Sequence, residues 1–176
     1  MTNPEIGDSE RRDINRRVER ILKDLGNPEP PLSLEDVRYL LRLDLKYYSS
    51  TDVSAAREVA HKLYVAGKQI IERPALLIDV IRKSKLSALW LPDRKRILID
   101  RDAPKLKHRW MEAHEIGHSV IEWHRSCLFG DDEVTLSQAC HEQIEAEANY
   151  AAGQLLFMQK LFYDEVTDTG ITWVQL

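Results

Sequence analysis

The chain has 176 residues, enough for one domain of about 150 residues with a short helical addition. Its 25 Lys and Arg stand against 29 Asp and Glu, a formal net charge of -4, which argues against the basic footprint of a dedicated nucleic-acid binder. Two cysteines exclude a disulfide scaffold and fit a reducing, cytoplasmic setting; no apolar signal-peptide core and no membrane-length apolar run is found.

Residues 1–9 are polar. From Arg11, Ile14, Val18, Ile21, Leu22 and Leu25 recur at helical spacing and Gly26 ends the run. Asn27 to Leu32, with three prolines, reads as a linker. Ser33-Leu-Glu-Asp36 resembles a capping box opening a helix through about Leu43. A third helix is expected from about Ser54 to Ile71, broken by Pro74, and a short one from Ala75 to Arg82. Leu86–Leu91 and Arg96–Asp100 are short apolar runs around Pro92-Asp93-Arg94, the pattern of a β-hairpin. A helix from about Lys107 to Trp123, a polar loop to about Glu133 and a long helix from about Leu136 to Phe157 follow. The basic first helix and Arg94-Lys-Arg96 read as solvated faces. The expected fold is α+β, mostly helical, with a small antiparallel sheet or hairpin packed on a two-helix metal site. Residues 1–84 form an N-terminal helical region and 85–176 the core, the two making one unit.

The chemistry concentrates in His114-Glu115-Ile116-Gly117-His118. Residues four apart on a helix differ by about 40° in direction, so both imidazoles leave one face. Two neutral imidazoles so placed can occupy two corners of a tetrahedral zinc site, with Glu115 beside the metal as a proton acceptor. The third ligand has two candidates. His124 gives a metzincin-like spacing, but Ile121 stands where that motif needs a glycine turn, and on a continuing helix His124 points away. Glu145 fits better: it lies one turn before Asn149, which could orient the far nitrogen of His114, the arrangement of a gluzincin. His141, one turn earlier, could assist as an orienting group or oxyanion donor, and Glu142 is a fallback ligand. Glu147 lies about 200° round the helix from Glu145 and is expected to point elsewhere and leave zinc content untouched.

Trp110-Met-Glu-Ala-His-Glu-Ile-Gly-His118, followed by Glu145-Ala-Glu-Ala-Asn-Tyr-Ala-Ala-Gly-Gln-Leu-Leu156, resembles the ImmA/IrrE family of zinc metallopeptidases. Leu32–Asp44 is loosely similar to its leading helix, and the pattern differs at Ala151 and at Phe157-Met158. The resemblance implies a narrow protein substrate, a helix-turn-helix repressor cut to induce stress-response, defence or mobile-element genes.

The sequence reading is therefore a metallo-endopeptidase with one zinc on His114, His118 and Glu145 and with Glu115 as general base. The strand Arg96–Asp100 is the expected open edge for pairing with an extended substrate. No membrane and no strong nucleic-acid contact is expected. The alternatives are a non-catalytic binding module on the same fold and a metzincin-like peptidase using His124. Cys127, nine residues beyond His118 in the expected loop, could fill the fourth zinc position as a thiolate and hold the enzyme latent, so that Cys127→Ala would cleave constitutively.

Overall fold

Ile97, Leu98 and Ile99 are fully buried, and such an uninterrupted apolar run is what a strand covered on both faces requires. They belong to a three-stranded sheet. In the computed structural model, which describes residues 6–49, 88–129 and 138–158, the strands are β1 (Asp44–Tyr48), β2 (Ala88–Leu91) and β3 (Arg96–Asp100). The helices are α1 (Asp8–Asp24), α2 (Leu34–Leu41), α3 (Lys105–Val120), α4 (Glu122–Phe129) and α5 (Gln138–Phe157). The class is α+β, as expected. The helices expected over 54–71 and 75–82 and the C-terminal tail lie outside the described residues. Among the described residues no helix is long and apolar enough to cross a membrane.

The expected hairpin forms: β2 pairs antiparallel with β3 through a single 3-10 turn, Pro92–Arg94. Two expectations about the sheet are corrected. It is mixed rather than antiparallel, because β1 lies parallel to β3 in the register Asp44↔Arg96 to Tyr48↔Asp100. The strand order is β1-β3-β2, so β3 is the middle strand and offers no open edge to a substrate. Arg96 donates from Nε to Asp44 at 2.6 Å, fixing the start of that register. The short strand β1 follows α2 through Arg42, which ends the helix in the left-handed conformation (φ 56°). No glycine or asparagine marks that stop.

The helix expected from Lys107 to Trp123 is two helices. α3 ends at Val120, and Ile121 is extended (φ -96°, ψ 103°) before α4 begins. This conformation lies in the β region, which a β-branched residue favours, so the chain turns without glycine. Ile121 is itself buried at the turn. Residue 127 consequently lies in helix α4 rather than in a loop, and the Cys127 side chain lies outside the described residues.

α1 buries Ile14, Val18 and Ile21 in the main core. The Ser33 cap is realised, with the Asp36 N–H donating to Ser33 Oγ at 3.2 Å. Three arginines tie the N-terminal segment to α3. Arg38 pairs with Glu112 at 2.6 Å, and Arg109 donates to the Leu32 carbonyl at 2.6 Å. Arg17 donates to the Val120 carbonyl at 2.9 Å, satisfying an orphan acceptor at the negative end of α3.

α3 and α5 meet at small residues. A Cβ placed on Gly117 would lie 2.8 Å from the Ala148 carbonyl oxygen and 3.2 Å from Ala151 Cβ, and Ala148, Ala151 and Ala152 are fully buried. Backbone atoms cannot yield as a flexible side chain can. Gly117→Ala must therefore push the helices apart, at a cost typical of overpacking, about 1–3 kcal/mol. Thermal denaturation should show this as a fall of several degrees in Tm; an unchanged melt would show that the two helices have room to part.

Candidate metal centre

The close approach at Gly117 sets α5 against the face of α3 that carries His114 and His118. His114 Nε2 and His118 Nε2 are 3.1 Å apart. Glu145 reaches across from α5, with Oε2 3.2 Å from His114 Nε2 and Oε1 3.4 Å from His118 Nε2. Among the described residues these three form the group whose donor atoms converge closely enough to hold a cation. The separations suit zinc. For a tetrahedral ion with bonds of about 2.0–2.1 Å, the donor atoms lie about 3.3 Å apart. Two imidazoles and a carboxylate are also a ligand set that zinc accepts.

Asn149 stands one turn beyond Glu145, and its Oδ1 is 3.0 Å from Nδ1 of His114. Glu142 is exposed and is not one of the gathered donors. His141 lies on α5, and its side chain lies outside the described residues. His124 does not join the three donors. The turn at Ile121 swings it back beneath α3, where its Nδ1 is 3.0 Å from Nδ1 of His118, on the far side of that ring from Nε2. Behind it, Glu147 Oε2 lies 3.1 Å from His124 Nε2. Glu147 does point away from the Glu145 face, but it points at a partner of His118. Its irrelevance to the site does not follow from its phase.

The titration of the three donors reflects this crowding. Burial opposes a proton on His114, but the bond to Glu145, the charges of Glu115 and Glu145 and the bond to Asn149 outweigh it and raise its pKa. For His118, burial dominates; with the neighbouring His114 and His124 it outweighs the pull of Glu145, and the pKa falls to about 4. Burial pushes Glu145 upward, yet its bonds to His114 and His118 and their charges hold it well below the usual carboxylate range. An ionised carboxylate beside two imidazoles, one of them kept neutral, is what a divalent cation needs.

Glu115 is 6% exposed and lies on α3 between the two histidines, outside the donor group. Its charge is felt by Tyr48 at the end of β1. Burial, then the charges of Asp100 and Glu115, push the Tyr48 hydroxyl up to about 12. The phenol therefore stays protonated near the candidate base. Tyr48 was not singled out in the sequence because nothing marked β1 as a strand. Helical phase alone sets Glu147 off the Glu145 face and offers His124 only as an alternative ligand; the signal that relates the two is the chain turn at Ile121.

The arrangement can hold a divalent cation that is open to solvent on the Glu145 side, where that side chain is 54% exposed, and it keeps an additional carboxylate, Glu115, close to His114. Searches among curated proteins and among solved structures returned no match. The family model described as IrrE N-terminal-like domain, a peptidase family, matches residues 65–172, a span that takes in β2, β3, α3, α4 and α5. The match covers more than half of the chain and includes every residue of the donor group, and the chain belongs to the IrrE N-terminal-like peptidase family.

Proposed function

We propose that the protein is a zinc-dependent endopeptidase of gluzincin type. The observation that carries this reading is the convergence of His114 Nε2, His118 Nε2 and the Glu145 carboxylate at 3.1, 3.2 and 3.4 Å. His114, His118 and Glu145 would hold a zinc ion there, and it would supply Lewis acidity for the activation of water and of a scissile carbonyl. Glu115 is the general base: it takes the proton of the attacking water and passes it to the leaving amine. Asn149 holds His114 through Nδ1.

The substrate in this reading is a protein, and the similarity to the ImmA/IrrE family favours a helix-turn-helix transcriptional repressor in the cytoplasm. The test combines metal analysis with incubation of the purified chain and the repressor encoded beside it, with and without chelator. One zinc per chain is expected, with cleavage that stops under chelation and returns on adding zinc. A repressor that is bound but never cut would favour a non-catalytic module, and cleavage indifferent to chelator would refute the metal mechanism.

A further inference from the structure

His118, His124 and Glu147 come from three different helices and meet in the interior, at 3%, 0% and 1% exposure. A buried carboxylate is costly unless its hydrogen bonds are satisfied, and this one is: Gln143 Nε2 donates to Glu147 Oε1 at 3.0 Å. The other oxygen, Oε2, lies 3.1 Å from His124 Nε2. We propose that Glu147 and His124 form a buried positioning relay that fixes the proton and the orientation of His118, so that its Nε2 is held ready as a metal ligand.

His118 turns Nε2 toward His114 and Glu145. A ligating nitrogen must offer a lone pair, so the proton of neutral His118 sits on Nδ1. Nδ1 of His118 is 3.0 Å from Nδ1 of His124, and one proton serves that pair. Since His118 supplies it, His124 Nδ1 accepts and the His124 proton sits on Nε2, where it faces the acceptor oxygen Oε2 of Glu147. The chain of bonds is therefore consistent in one direction, from the carboxylate outward to the ligand. Running it in reverse would put the His118 proton on Nε2, among the donors it should join.

The two histidines are held differently. His114 leans on the neutral amide of Asn149, an exposed residue. His118 leans on an imidazole backed by a carboxylate in a dry interior, where hydrogen bonds are stronger and water cannot substitute. The Trp123 ring meets His124 edge-on at 4.6 Å and fixes the plane of the imidazole. A carboxylate–histidine pair behind a ligand raises ligand basicity, and its loss usually costs about 10–100-fold in metal affinity.

The relay rests on the zinc-site reading above, and the experiment separates the two. Zinc affinity is measured by competition with a chromophoric chelator on the full chain and on Glu147→Gln, which keeps the side-chain shape and replaces one carboxylate oxygen with an amide nitrogen that cannot accept. The variant should bind zinc about 10–100-fold more weakly, with an altered visible spectrum after cobalt substitution. Long-range proton–nitrogen NMR on the zinc-loaded wild type should find His118 protonated at Nδ1 and His124 at Nε2. That measurement decides the question if Glu147→Gln does not fold. Wild-type protein that takes up no zinc overturns the metal reading and the relay with it. Wild-type zinc binding with unchanged affinity in Glu147→Gln, or with His124 protonated at Nδ1 alone, overturns the relay and leaves the metal reading standing.

Discussion

Glu115→Gln should keep its zinc and lose its proteolysis. The substitution changes neither the size of the side chain nor the three gathered donors, of which Glu115 is not one. It replaces an acceptor of protons with an amide that cannot hold one at neutral pH. General base catalysis by a positioned side chain is worth about 10²–10⁴-fold, so cleavage of a protein substrate should fall by a factor in that range while metal content stays at one per chain. A variant that still cuts at near the wild-type rate would remove Glu115 from the mechanism.

Glu145→Ala should have the largest effect on the metal itself. It leaves two imidazoles 3.1 Å apart with no carboxylate to neutralise the cation. The zinc loss should exceed the about 10–100-fold typical of losing a group that only supports a ligand, and the protein should leave dialysis against dilute chelator with far less than one zinc. Glu147→Gln, acting only through His124 and His118, should retain more. Equal retention in the two variants, read by metal analysis, would remove Glu145 from the ligand set.

The convergence of the three donors is more legible in the sequence than the fold around them. His114, His118, Glu145 and Asn149 could be phased from helical spacing alone, because each pair lies within one unbroken helix and needs only the 100° rotation per residue. The α3–α5 arrangement then follows from Gly117 meeting Ala148 and Ala151. What failed was every inference that crossed an unmarked turn. Arg42 and Ile121 end helices without glycine or proline, one by a left-handed conformation and one by an extended residue. Missing the first hid β1, and with it Tyr48 and the true place of β3. Missing the second made His124 a choice between metal ligand and bystander, when its ring lies behind His118. Single-residue turns of this kind are decided by packing, and the buried environment of Ile121 is visible only after folding.

The parallel pairing of β1 with β3 bears on what counts as the smallest working piece of this protein. The family match begins at residue 65, whereas β1 ends at Tyr48. A chain trimmed to the matched span would expose the flank of its most buried strand, with the N–H and C=O groups that now bond to residues 44–48 left open. Such bare flanks recruit other strands, including those of identical copies, and trimmed material would be prone to sticking to itself. The trimming would also remove Arg17 and Arg38, which hold the C-terminal end and the middle of α3. The donor group and the residues that align its helix are thus drawn from opposite sides of the family boundary.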